Sequence, residues 1–380
     1  MHILHVYKDY FPVLGGMENH LRIVAEGLVR RGHTVTVLVS NTYRKTMVER
    51  LNGVSVIKAA EWLRRASTPL SPGMLPLSWR VPADIIHLHH PFPPGDLVYW
   101  LRRRRPPLVI SYQSDIVRQR RLLQLYRPLL ERTLGAADRI LAASPQYIQS
   151  SDWLRPHAAK CAVVPLSVDA ERFARPDPAS VAAIKARYGA LLLLFVGRFR
   201  HYKGLHFLVE ALRSIPQAQL LLVGVGPEEG RLRALAERLG LAGRIHWAGE
   251  IADEDLPDYY AAADLFVLPA HLRAEAFGIV QLEALAAGLP IVSTELGTGT
   301  SYVNSHNETG LVVAPADPAA LAGAINELLA DPDRRAAYAA AGRRRAREHF
   351  SEERMLDQIE AVYREVRSQE SGVRSQDRKP

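Results

Sequence analysis

Short apolar runs separated by amphipathic stretches recur from the first residue of this chain. Residues 1–6, 34–39, 54–57, 84–89, 108–112, 139–142 and 162–164 read as strands. Apolar residues return at helical spacing over about 17–31, 95–103, 117–134 and 145–154. This alternation predicts a mostly parallel, doubly wound sheet with helices on its faces. The rhythm then restarts. Strands are expected at 191–196, 219–223, 245–248, 265–268, 290–292 and 311–313, and helices at 205–213, 228–239, 255–262 and 279–287. Ala-rich helices follow to about 347. Residues 58–82 hold Trp62, Met74, Trp79 and four prolines without a clean period, and read as one long loop.

Two Rossmann-like halves follow from this repetition, since 380 residues exceed one usual core. The Pro- and Ala-rich stretch 174–182 marks the join. The first domain is assigned to 1–172 and the second to 173–350. A helix over 351–367 closes the fold, and the polar, patternless 368–380 is expected to be a disordered tail.

Candidate chemistry concentrates at the ends of predicted strands. Glu283 stands in an otherwise apolar run, Ile279, Val280, Leu282 and Ala284 to Ala287, that reads as a buried helix closed by Gly288. A carboxylate there needs a protein donor or a ligand hydroxyl. Glu275 lies eight residues earlier. Phe277-Gly278 precedes the helix, whose free N–H groups and positive dipole end suit phosphate. The strand at 191–196 runs into Gly197-Arg198-Phe199-Arg200-His201-Tyr202-Lys203-Gly204, delivering Arg198 and Lys203 where open α/β sheets bind ligands. Near the amino terminus, Gly15-Gly16 before a helix permits a tight turn or close backbone approach to a ligand.

Taken in order, these segments resemble the retaining GT-B glycosyltransferases of family four. The resemblance covers about residues 1–365. It rests on the Gly15-Gly16-Met17-Glu18 loop, His87-Leu88-His89-His90-Pro91, Ser114-Asp115, Val164-Pro165 to Asp169, the G-R-F-x-x-x-K-G loop and the two glutamates. It implies two Rossmann-like domains with the active site in the cleft between them. It implies Arg198 and Lys203 on the donor diphosphate, Glu283 on the ribose and Glu275 on the donor sugar. The amides of Gly15, Gly16 and Phe277, Gly278, Ile279 and Val280 are then expected near phosphate and sugar. Gln113 stands where the family carries His, at a strand end facing the reacting sugar. Glutamine keeps hydrogen bonding but cannot titrate near neutrality.

Three further motifs admit plainer readings. Gly224-Val225-Gly226-Pro227 imitates a dinucleotide fingerprint with the wrong spacing. It fits the family's nucleotide-side loop better, with Gly226 among the donor contacts. Asp253-Glu254-Asp255 could be a metal D-x-D or simply helix-start caps, and caps are preferred. His87, His89 and His90 could suggest a metal, but no carboxylate stands at ligand spacing. No metal or cofactor is expected.

Charge divides the chain. Residues 1–185 hold 26 Lys and Arg against 14 Asp and Glu, and the remainder 22 against 26. A basic first half suits an anionic partner. Arg102, Arg103, Arg104 and Arg105, with Arg118, Arg120 and Arg121 on the amphipathic helix 117–134, read either as an anionic membrane contact or as solvated helix surface. No nucleic-acid motif is present. The single Cys161 excludes an internal disulfide, and the first residues carry no leader pattern, so a cytoplasmic protein, peripheral at the inner membrane face, is expected. The stretch from Ser111 to Pro145 looks like mannosyltransferases of bacterial surface-polysaccharide assembly. The expected function is hexose transfer, mannose favoured, from GDP-mannose or a UDP-hexose to a glycan or lipid-linked acceptor. The alternative is a catalytically impaired or non-catalytic, membrane-associated sugar-nucleotide-binding protein, with Gln113 as its mark.

Overall fold

In a computed structural model, which describes residues 1–13, 15–65, 68–116, 120–189 and 191–376, the apolar runs form two separate sheets. The chain divides into one unit of 1–166 with 353–380 and another of 167–352.

The first unit contains β1 (His2–Val6), β2 (Thr34–Ser40), β3 (Met47–Leu51), β4 (Val54–Ala59), β5 (Leu63–Arg65), β6 (Thr68–Leu70), β7 (Ile85–His90), β8 (Leu108–Tyr112), β9 (Arg139–Ala142) and β10 (Cys161–Val163). Eight of them form one sheet in the order β10-β9-β8-β7-β1-β2-β4-β3. All neighbours are parallel except β3 and β4. The central strands are buried on both faces, as their continuous hydrophobicity requires.

Two features of this unit differ from the sequence reading. Strand β3 was not expected, because an edge strand reading Met-Val-Glu-Arg-Leu carries no apolar run. Its signal is instead the turn Asn52-Gly53, both residues at positive φ, which joins β3 to β4 as a hairpin. The stretch read as one long loop holds the antiparallel β5–β6 pair and the helix Met74–Arg80.

The chain's last helix, Glu352–Gln376, belongs to the first unit. Its stripe of Met355, Leu356, Ile359, Val362, Tyr363 and Val366 is buried. Leu356 lies so close to Gly27 that a Cβ there would come within 2.4 Å of Cδ1. Arg31 pairs with Asp357 (2.7 Å) and Glu360 (3.0 Å), and His33 Nε2 stands 2.6 Å from Glu360. The helix continues past 367 to Gln376, where a disordered tail was expected. Ser368 to Gln376 lacks an apolar period, but it contains no proline to stop a helix already nucleated.

The second unit has six parallel strands: β11 (Leu192–Val196), β12 (Gln219–Val223), β13 (Ile245–Gly249), β14 (Leu265–Leu268), β15 (Ile291–Thr294) and β16 (Gly310–Val313). Their order, β13-β12-β11-β14-β15-β16, reverses direction between β11 and β14. Loops leaving the carboxyl ends of strands on either side of such a switch point diverge and open a crevice. The two loops singled out in the sequence follow these two strands.

Candidate donor and acceptor sites

The donor-site candidates converge in the second unit. The loop after β11 closes in the short turn His201–Lys203 and turns at Gly204, where φ is +68°. A Cβ at Gly204 would stand 2.0 Å from the Pro269 carbonyl oxygen, so only glycine brings this loop onto the one after β14. The approach joins Lys203 to Glu275 as an ion pair, with both side chains about nine-tenths buried. Burial alone would lower the ammonium pKa. The Glu275 carboxylate, helped by Tyr202 and Glu283, outweighs it, and Lys203 titrates above the ordinary lysine value.

Arg198 contrasts with this pair. It is exposed, and among the described residues no ion pair or side-chain hydrogen bond engages it. The same loop therefore carries a neutralised cation, Lys203, and cations without an ion pair among the described residues, Arg198 and Arg200. Gly226, on the loop after β12, packs against that loop: a Cβ would lie 2.4 Å from the Phe199 carbonyl oxygen.

Helix Ile279–Ala287 begins at Gly278, in the left-handed region at φ 79°, with no side chain capping it. Its first N–H groups thus lack intrahelical acceptors. Phe277 is buried before them, and Ile279 and Val280 are partly exposed. Glu283 finds a protein donor, Tyr260, whose hydroxyl stands 2.6 Å from Oε2 and 3.2 Å from the Val280 carbonyl. Burial pushes the Glu283 pKa up to about 7, against the Tyr260 bond that favours the carboxylate. Tyr260 in turn titrates far above its usual value through burial and Glu283. Nothing in the sequence marks Tyr260. A tyrosine in Leu-Pro-Asp-Tyr-Tyr-Ala-Ala looks like any helix residue, and the contact spans 23 positions.

Asp253 is not a helix cap. It pairs with Arg172 at 2.9 Å, and Asp255, at the cap position, makes no side-chain cap bond.

The first unit gathers its candidates at the carboxyl ends of β1, β7 and β8. Gly15 and Gly16 lead into the helix Gly16–Arg30, where buried Glu18 pairs with Lys8 at 3.3 Å. A cavity of about 580 Å³ opens here, lined by Tyr7, Lys8, Met17, Phe92, Ser114 and Tyr126 among others. Gln113 follows β8, tied by its backbone N–H to the His90 carbonyl at 3.2 Å. Its side-chain Nε2 and Oε1 are both shielded from solvent and have no partner among the described residues. An amide left so is costly unless a ligand completes it.

The histidines separate by strand alternation. His90 stands 2.7 Å from Asp96, which also accepts from the Tyr126 hydroxyl. The carboxylate judged missing from this cluster is thus supplied six residues on. His5, His87 and His89 share the other face, their ring nitrogens within 4.8 Å of one another and wholly buried. His87 meets the Tyr363 hydroxyl (2.6 Å) and Ser111 (2.8 Å), and His5 meets His89 (3.0 Å). Burial holds all three neutral, His5 down at about 3. They form a hydrogen-bonded stack between sheet and terminal helix.

The basic run is not a uniform face. Arg102 is buried, and its guanidinium bonds the carbonyls of Ser78, Val81 and Arg104, so its assignment to a membrane-facing surface is corrected. Arg103, Arg104 and Arg105 are exposed. Arg118 lies outside the described residues. Arg120 and Arg121 open the helix Arg120–Ala136, with their side chains also outside the description.

Residues 180–345 match the family described as glycosyl transferases group 1, and residues 14–172 match glycosyltransferase family 4. The D-rhamnosyltransferase WbpZ of Pseudomonas aeruginosa is 39% identical over 335 residues, 87% of this chain and 87% of that protein. The chain belongs to the group 1, family 4 glycosyltransferases. The O-antigen chain mannosyltransferase C of Escherichia coli is 36% identical, covering 96% of this glycosyltransferase and 98% of the relative. Among solved structures, sucrose-phosphate synthase from Thermosynechococcus elongatus superposes with a TM-score of 0.82 at 25% identity, covering 96% and 98% of the two chains. Anabaena HepE in complex with UDP does so at 0.76 and 21%, covering 95% and 99%. The two Rossmann-like units are those of the GT-B fold.

Proposed function

We propose that this glycosyltransferase is a retaining, metal-independent hexosyltransferase that extends a lipid-linked glycan in surface-polysaccharide assembly. The observation carrying the proposal is the buried Lys203–Glu275 pair beside Glu283 at the switch point of the second sheet. Arg198 and Lys203 take the donor diphosphate, and the open amino end of helix Ile279–Ala287 adds N–H groups. Glu283 accepts from ribose hydroxyls. Glu275, beside Lys203, accepts from the donor sugar. Gln113, its amide unpartnered, serves a sugar hydroxyl. The anomeric carbon–oxygen bond to the diphosphate breaks as the acceptor oxygen bonds on the same face. The acceptor's proton passes to the departing phosphate oxygen. Charge growing on that phosphate meets two cations already in place, and the reading gives them the part a divalent ion would play.

The names of the relatives favour a mannose-type donor. Beside the two polysaccharide enzymes stands a GDP-mannose-dependent phosphatidylinositol monomannoside mannosyltransferase of Mycobacterium tuberculosis, 40% identical over 198 residues, 49% of this chain. GDP-mannose is therefore the proposed donor, with nucleotide-linked D-rhamnose the nearest competitor. The proposed place of work is the cytoplasmic face of the inner membrane. Among the described residues no helix is long and apolar enough to cross a membrane, which agrees with peripheral attachment. Incubation with GDP-mannose, a UDP-hexose or nucleotide-linked D-rhamnose, with a diphosphate-lipid-linked acceptor, tests the reading by product mass. Added mass from GDP-mannose alone supports it, and no addition from any donor sinks it.

A further inference from the structure

Exposed apolar surface is concentrated in the first unit. Among the described residues, the second unit exposes only Val225 and Leu272 of its large hydrophobics. The first exposes Trp79, Leu97, Leu101, Leu122 and Leu125 on three helices, Met74–Arg80, Pro93–Leu101 and Arg120–Ala136. The middle helix packs against both others; Trp79, Leu97 and Leu101 form one layer, whereas Leu122 and Leu125 line the cavity at the carboxyl edge. Trp79 Nε1 donates to the Leu101 carbonyl at 3.3 Å, which ties the first helix to the end of the second.

Arginines follow directly. Arg102, bonded inward to Ser78 and Val81, fixes the segment after Leu101 as the wall of a cavity of about 930 Å³. Trp79, Arg103, Arg104, Arg105 and Arg367 line it, at the amino ends of β7 and β8. That edge is opposite the one holding Gly15 and Gln113. Asp84 is the one carboxylate among its described lining residues, and it is already engaged by the His2 N–H (2.8 Å) and Arg367 (3.3 Å). Arg103, Arg104 and Arg105 have no ion pair among the described residues. Arg103 lies over the Trp79 ring at 4.8 Å. Three uncompensated cations crowd a cavity whose rim carries Trp79, with the exposed Leu97 and Leu101 on the helix that leads into it. A solvated basic face would need no such rim, and a nucleic acid would leave the leucines in water.

We infer that this layer is a membrane-docking surface whose cavity takes the phosphodiester headgroups of anionic phospholipids. Trp79, Leu97 and Leu101 enter the apolar boundary beside them. The inference rests on the membrane-face reading above and names the surface responsible. It keeps Arg103, Arg104 and Arg105 of the contact expected from the sequence, at the amino edge of the sheet, and leaves out the helix 117–134.

Flotation of the full chain with phosphatidylcholine vesicles, with and without phosphatidylglycerol, tests it. Wild type should partition onto the anionic vesicles and be released by salt. The triple variant R103Q/R104Q/R105Q should lose on the order of a hundredfold in partition. Leu97→Ser with Leu101→Ser should also lose binding, although every charge remains. Both variants should keep the wild-type melting temperature. Glycerol phosphate, a free phosphate ester, should not displace the protein. Equal binding to neutral vesicles, unchanged partition of the triple variant, displacement by glycerol phosphate, or binding of single-stranded RNA in place of vesicles would overturn the inference. Sugar transfer by wild type to a detergent-solubilised acceptor is measured in parallel. Transfer without vesicle binding defeats this surface alone, and vesicle binding without transfer defeats the transferase reading alone.

Discussion

Lys203 and Glu275 neutralise each other across two loops that leave adjacent parallel strands, β11 and β14. Each is the other's main compensation in a buried place. Removing one should therefore be worse than removing both charges. Lys203→Met is expected to destabilise the second unit by about 3–5 kcal/mol, the usual result of stranding a buried charge. Adding Glu275→Gln should recover part of that loss while nucleotide binding stays impaired. Urea denaturation followed with and without nucleoside diphosphate separates the two effects. A double variant no more stable than Lys203→Met would contradict the pairing.

Arg198 should behave oppositely. Since it is exposed and unpaired, Arg198→Ala is expected to shift stability by no more than about 0.5 kcal/mol. If it meets the leaving phosphate, transfer should fall roughly 100–1000-fold, as for a single preorganised oxyanion donor. A melting curve beside a turnover assay reads both. Normal turnover would remove Arg198 from the site.

Glu283 gives a pH signature. Its pKa of about 7 in the folded chain lies above the ordinary value near 4.5. The folded state thus holds a proton that the unfolded state has released, and stability falls as pH rises from 4.5 through 7. Glu283→Gln removes that fall while keeping an acceptor for Tyr260. Its melting temperature relative to wild type should rise between pH 5 and 8. A constant difference across that range would show that Glu283 does not titrate there.

Gln113 offers a test of the unpartnered amide. Gln113→Ala breaks no hydrogen bond in the unliganded protein, so stability should hold or improve slightly. Donor turnover should drop. Gln113→His, which restores the residue type expected of the family, should keep turnover. Turnover unchanged in Gln113→Ala would leave the side chain without a role.

The site's loops were legible because their residues are anomalous where they stand. Glu283 interrupts an apolar helix, and Arg198 and Lys203 follow a strand. The pairing of Lys203 with Glu275 was not legible, because 72 residues separate them and only the order of β11 and β14 brings them together. Tyr260 was hidden for the same reason. Within the Arg102–Arg105 run nothing in the sequence marks which side chain turns inward. That choice depends on the carbonyls of Ser78 and Val81, at the end of a short helix. The hairpin at Asn52-Gly53 is different: its turn was readable, and the charged edge strand obscured it.

The proposed reaction is sugar transfer with retention from a nucleotide donor held by Lys203, Glu275 and Glu283. Proton NMR of the first product formed from GDP-α-mannose tests it most directly, in excess chelator to test the two cations at once. An α-linked mannosyl product that persists in chelator and is lost in Lys203→Met is expected. A β-linked product, or turnover that stops in chelator and returns with magnesium or manganese, would contradict it.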